Sequence, residues 1–195
     1  MQNPNLLLKY TELLEALKGI VISSQARVIQ GDPDPLFSEN VNFFVKSYLI
    51  SACTYLEAYL QDIAFEVSQD ICRRIKESKT PHNFLYWRTS KEVKEKELRF
   101  ADADVSLSKK DISEEISANP YKTIKLFKYL GVNLFLQQNF VDNKDIVGAV
   151  VTKRNNIVHH NDSANDVSLS DIVQYIDNFV IYMEGVDLAA REAMA

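Results

Sequence analysis

The residues of this chain best equipped for chemistry lie together in "VTKRNNIVHHND", Val151 to Asp162. The protein has only three histidines, and two of them, His159 and His160, stand side by side here, five and six positions after Arg154 and its neighbour Asn155. An imidazole with an ordinary pKa of about 6.5 exchanges a proton near neutrality. A guanidinium stays charged and offers a two-pronged hydrogen-bonding fork to phosphate or carboxylate. Together these groups can combine proton transfer with stabilisation of a developing negative charge.

The rest of the chain offers little competing chemistry. Its five glycines are scattered, so no phosphate-cradling glycine loop exists, which argues against a nucleotide-binding α/β enzyme. Cys53 and Cys72 have neither zinc-site spacing nor the number a disulfide scaffold needs, and they read as buried thiols of a reducing compartment. No constellation of metal ligands is visible, and no cofactor is expected. The start of the chain carries charges every few residues and no cleavage-site pattern. Tyr129–Val141 is uncharged for 13 residues, short of the ~20 that a membrane helix requires. The expectation is a cytoplasmic protein without a membrane partner. The net charge of −5 is uneven: residues 1–160 hold 21 basic and 20 acidic residues, residues 161–195 one and seven. A broad basic face for duplex DNA is not evident.

Helical periodicity sets the elements that must position the motif. Leu6, Tyr10, Leu13, Leu14, Leu17, Ile20 and Val21 form a one-sided stripe over about residues 5–30, halted by "GDPDP". A long helix is predicted from Ser38, as N-cap, to Lys76, with the stripe Val45, Leu49, Ala52, Leu56, Tyr59, Leu60, Ile63, Val67 and Ile71. Residues 78–119 lose this pattern. "KEVKEKELR" reads as a short solvated helix and "SLSKKDISEEISANP" as a capped helix or an excursion, so the segment is an insertion against the bundle or a partly mobile one. Pro120 opens a helix expected to reach Gln138, Asp142 or Asn143 caps the motif helix to His160, and Ser168 or Ser170 caps a last one. The fold class is all-α: a single domain over 1–195, with four or five long helices in a bundle. Trp87 and the trio Tyr48, Tyr55 and Tyr59 read as core or dimer packing rather than a base-stacking platform.

On the motif helix, Ile146, Ala149, Val150 and Ile157 are expected to face the core. Val147, Val151 and Val158 form a second apolar row that contains Arg154. The remaining row, Lys144, Gly148, Thr152, Asn155 and His159, is polar with small residues at its middle, where another backbone could approach. Asn155 and His159 are one turn apart and can touch. A guanidinium among apolar neighbours needs a carboxylate or an interface, and Glu57, on a semi-apolar row of the second helix, is the candidate partner. Two plainer readings stay open: cationic residues at a helix C-terminus complement its macrodipole, and Glu57 is equally an ordinary solvated residue. Asp162 and Asp166 follow the motif as poor company for a phosphate, and as alternative partners for its cations.

"RNNIVHH" fits R-N-x-x-x-H, and here the chain resembles the HEPN superfamily of all-α proteins, many of them ribonucleases. "FFVKSYLISACTYLEAYLQDIAFEV" is similar to the second helix of RiboL-PSP-like and related stand-alone bacterial HEPN proteins. The resemblance implies metal-independent RNA cleavage at a symmetric homodimer interface, in a toxin or phage-defence setting with an antitoxin or defence-system partner. It makes Arg154 the stabiliser of the phosphorane, His159 the general base or acid, and Asn155 the group that orients histidine or phosphate. His160 also fits the family spacing, but His159 shares a face with Asn155. The competing implication is a non-catalytic HEPN module that dimerises or binds a ligand to regulate a partner.

Overall fold

The computed structural model describes residues 5–160 and 164–195; the side chain of His160 and the loop residue Asp162 lie outside what is described. Eight α-helices make up the described chain, with no strand among these residues. Four of them form the bundle: α1 (Leu6–Ile29), α3 (Val41–Glu77), α7 (Gln138–His160) and α8 (Leu169–Met194). Helix α8 packs against α7, α1 and α3, and is thus the central member. Its inward residues Ile172, Ile176, Phe179, Met183, Val186 and Ala190 recur at three- and four-residue spacing and are fully buried. Leu14, Val21, Leu49, Leu56, Leu60 and Ile63 meet them from α1 and α3. The bundle class expected from periodicity is the observed one.

Local chemistry explains most of the boundaries. Asn5 caps α1 by accepting from the Leu8 N–H, and Ser168 caps α8 in a reciprocal box with Asp171. Three expected boundaries are corrected, the first being that Asp142 and Asn143 lie inside the motif helix and do not cap it, since α7 already begins at Gln138. Ser38 does not cap the long helix, because Pro35–Ser38 is itself a short helix, α2, whose cap is Asp34. The helix opened by Pro120, α6, ends at Tyr129 and does not run to Gln138. Gly131 adopts a positive φ of 75°, a conformation that ends the helical run, and a 3-10 turn at Leu134–Leu136 leads into α7, which begins at Gln138.

The middle segment holds α4 (His82–Thr89), a 3-10 turn at Glu95–Glu97 in place of the expected solvated helix, and the capped helix α5 (Lys109–Glu115). Helix α5 lies on α3, where Lys109 meets Asp62 at 2.7 Å and Gln69 donates to the Leu107 carbonyl. Residues 116–122 then pass along α3 and α7 and bring the start of α6 to the motif helix.

Candidate functional site

The motif occupies the last two turns of α7. The buried stripe of this helix is Phe140, Asn143, Val147, Val150, Val151 and Ile157. It runs between the two apolar rows expected from sequence, so Ile146 and Ala149 are exposed on one flank. Val158 is 46% exposed, near the helix end. At 3.6 residues per turn, Arg154 falls at the centre of this buried stripe. The bundle therefore carries a guanidinium inward, along the same face as its valines.

The surroundings of Arg154 are specific. Its Nη1 donates to Asn155 Oδ1 at 3.1 Å. Its Nε is buried and has no hydrogen-bond partner among the described residues. No carboxylate among the described residues lies within 4.0 Å of it. The expected ion pair with Glu57 is therefore not a direct contact. Both residues instead line two adjoining hollows. One, of about 230 Å³, is walled by Cys53, Glu57, Ser117, Ala118, Lys122, Val151, Arg154 and Asn155. The other, of about 180 Å³, lies against Thr54, Ala58 and Gln61. The charges of Arg154 and Glu57 both reach Cys53: burial pushes its thiol up to about 12, Arg154 pulls it down and Glu57 pushes it up.

The remaining motif residues face elsewhere. His159 is exposed, lines neither hollow and makes no hydrogen bond to Asn155, whose oxygen is occupied by Arg154. Thr152 is exposed and donates to the Gly148 carbonyl at 2.8 Å. A Cβ at Gly148 would meet only the Pro120 ring, at 3.8 Å. Nothing within the chain therefore requires a glycine there. Asp166 accepts from Lys153 at 2.5 Å and does not approach Arg154. Among the described residues, no three His, Cys, Asp or Glu side chains are grouped as metal ligands.

Periodicity did not reveal Lys122 and Ser117. Lys122 sits in the first turn of α6 and adds a second cation to the wall of the larger hollow. Its sequence signal is weak: Asn119 and Pro120 fix where that helix starts, but only the path of residues 116–120 across α3 turns Lys122 toward Arg154. The site thus presents two cations, one carboxylate and a short amide clamp around a small open hollow. It can receive an anionic group.

A family model described as RiboL-PSP-HEPN matches residues 7–191. Neither the curated proteins nor the solved structures gave a significant match. No described helix is long and apolar enough to cross a membrane.

Proposed function

The chain belongs to the RiboL-PSP-HEPN family, and from that premise we propose that it is a metal-independent endoribonuclease whose working site forms where two copies of the motif meet across a two-fold axis. The observation that carries this reading is Arg154: a half-buried cation on the inward stripe of α7, hydrogen-bonded to Asn155, with no carboxylate within 4.0 Å among the described residues. A phosphate oxygen can accept from the part of the guanidinium that Asn155 leaves open.

In the proposed reaction, His159 takes the proton of a ribose 2′-OH as that oxygen attacks the adjacent phosphorus. Arg154 stabilises the charge on the phosphorane, held in line by Asn155, and Lys122 adds to the field. The P–O5′ bond breaks, the leaving oxygen takes a proton from the histidine of the second copy, and a 2′,3′-cyclic phosphate remains. The exposure of His159 supports this division of labour, since it is open to a neighbouring molecule along the polar row of Gly148 and Thr152. RNA is then the substrate, a second copy of the chain the obligatory partner, and the cytoplasm the setting. A toxin or phage-defence role under control of an antitoxin is the biological extension of the same reading.

The separation of His159 from the hollow favours one alternative, a non-catalytic module in which Arg154 and Lys122 bind an anionic ligand and the protein regulates a partner. The test is cleavage of structured and unstructured RNA in excess EDTA by the parent and by His159→Ala, with analysis of product ends. Cyclic phosphate ends from the parent alone support the nuclease. An inert, well-folded dimer moves the assignment to the binding module.

A further inference from the structure

We propose that the outer face of α6 is a track for single-stranded RNA, leading from the Arg154 hollow to a second hollow beside Phe135 that receives a base. Its purpose, to hold substrate for cleavage, rests on the nuclease reading, but its binding of RNA does not.

Helix α6 is divided by residue type. At 3.6 residues per turn, Pro120, Thr123, Leu126 and Phe127 fall on its inner side, and all are buried. Tyr121, Lys122, Lys125, Lys128 and Tyr129 share an arc of about 120° on the other side. All five are exposed, Tyr121 at 79% and Tyr129 at 69%. An ordinary solvated face mixes charges of both signs. This one carries a single sign and two large rings.

The same bias extends beyond the helix. Residues 116–141 hold three basic and no acidic side chains, in a protein whose net charge is −5. Lys125 pairs with Glu115 at 3.4 Å, and its Nζ lies 5.5 Å from the Tyr129 ring centre. Lys122 and Lys128 make no ion pair within 4.0 Å among the described residues. The acids that flank the stretch in sequence are already engaged: Glu114 with Lys110, Glu115 with Lys125, Asp142 with Gln138 and Asp145 with Lys144. The surplus on this face is therefore positive. Free cations with rings between them suit a phosphate backbone and unstacked bases.

Each end of the face borders a hollow. Lys122 lines the hollow of Arg154. Six residues on, Lys128 lines another of about 450 Å³, together with Ile124, Val132, Asn133, Leu134 and Phe135. An apolar wall with one amide and one ammonium suits a nucleobase, a flat ring with polar edges. Pro120, at the start of α6, packs beside Gly148 of the motif helix. Phe135 meets Phe140, in the first turn of α7, edge to face at 6.0 Å. The track thus runs from the motif toward the opposite end of α7. This continuity, more than exposure, selects the occupant: the strand whose phosphate lies at Arg154. Lys122 and Lys128 are roughly 9 Å apart along the helix axis. At about 3.4 Å per stacked nucleotide, the base in the second hollow belongs about three nucleotides from that phosphate.

The experiment measures anisotropy of uncleavable 2′-O-methyl oligonucleotides of two and six nucleotides with the full-length protein. The parent should bind the hexamer at least about tenfold more tightly than the dimer. Lys128→Ala and Tyr129→Ala, both at exposed positions, should each remove about tenfold from hexamer affinity and leave the dinucleotide unchanged. Lys128→Ala should also reduce the salt slope by about 0.7. Phe135→Ala should act on the hexamer alone, with circular dichroism and sedimentation recorded for every variant. Unchanged hexamer affinity overturns the track, as does an equal loss for both lengths or a loss that follows unfolding or dissociation of the protein. Displacement of the hexamer by poly-glutamate as readily as by unlabelled hexamer overturns the choice of RNA and gives the face to an acidic protein. If the length-dependent losses appear but the parent cleaves no RNA, the nuclease reading fails and the track stands.

Discussion

Asn155 accepts a hydrogen bond on its side-chain oxygen from Arg154, its immediate neighbour in sequence, and makes none with His159 one turn further along the same face. Consecutive helical residues project about 100° apart, so this contact needs the arginine to curl sideways across the helix surface. The amide thereby fixes one prong of the guanidinium and leaves the buried Nε without a partner among the described residues. The Arg-Asn pair is thus one device, a positioned cation, with the histidine held apart on the exposed flank.

Removing that cation should separate function from stability. Given cleavage by the parent, Arg154→Ala is expected to lower kcat by about 10²–10³, the usual loss for a donor aimed at a developing oxyanion. Arg154→Lys should not restore it, since an ammonium lacks the planar fork that Asn155 holds. The melting temperature should hardly fall in either variant, because Arg154 has no ion pair among the described residues to lose. Kinetics and thermal melts on the same preparations check this. A large drop in melting temperature would instead make Arg154 a packing residue.

Thiol reactivity reports on the wall of the same hollow. Cys53 is 2% exposed and its thiol is pushed up to about 12, chiefly by burial. The thiolate is the reactive form, so Cys53 should resist alkylation at pH 8 in the native protein. Mass spectrometry should find no modification of Cys53 until denaturant is added. Labelling of Cys53 under native conditions would show that the hollow opens.

Midway along α3, Asp62 accepts from the Tyr10 hydroxyl at 2.8 Å and from Lys109 at 2.7 Å. Burial alone would raise its pKa. The hydrogen bonds from Lys109 and Tyr10, with the charges of Lys109 and Lys9, outweigh burial and hold the carboxyl below its ordinary value. A depressed carboxyl stabilises the fold above its unfolded pKa of about 3.9, and that contribution is lost as pH falls through the folded value. Asp62→Asn should therefore lower stability at pH 7, while parent and variant converge near pH 2–3. Denaturant midpoints across that range test the sign, and a constant gap down to pH 2 would refute it.

The helices and the motif were legible because both depend on local pattern. The stripes of α1 and α3 mark their buried faces, although Leu13 and Ile20 of α1 are exposed, and Ser168 is one of the two caps legible for α8. The continuation of α6 was misread because thirteen uncharged residues look the same in a helix as in a turn, and only the backbone of Gly131 separates them. Lys122 was missed for another reason. Its place opposite Arg154 arises from packing between segments more than thirty residues apart, which no local period encodes. Trp87, which reads in sequence as core or dimer packing, is 60% exposed and lies outside the core, a placement that no local period encodes.

Two glycines give opposite predictions, and the second bears on the dimer. A Cβ on Gly185 of α8 would stand 2.6 Å from the Phe140 amide nitrogen and 3.2 Å from the Asn139 carbonyl carbon. Both are backbone atoms in the first turn of α7, which cannot swing aside as a side chain would. Alanine favours a helix over glycine by roughly 0.5–1 kcal/mol, but forced overpacking costs about 1–3 kcal/mol or more, so Gly185→Ala should lower the melting temperature. At Gly148 the nearest atom is a Pro120 ring carbon at 3.8 Å, an ordinary contact. Gly148→Ala should therefore leave the isolated fold as stable or more so, by the same propensity. If a second copy's backbone lies against the Gly148–Thr152 row, Gly148→Leu should weaken association while circular dichroism stays unchanged. Sedimentation velocity across a dilution series decides it. An unaltered dimer from a folded Gly148→Leu protein would place the two-fold interface on another face, and the composite site with it.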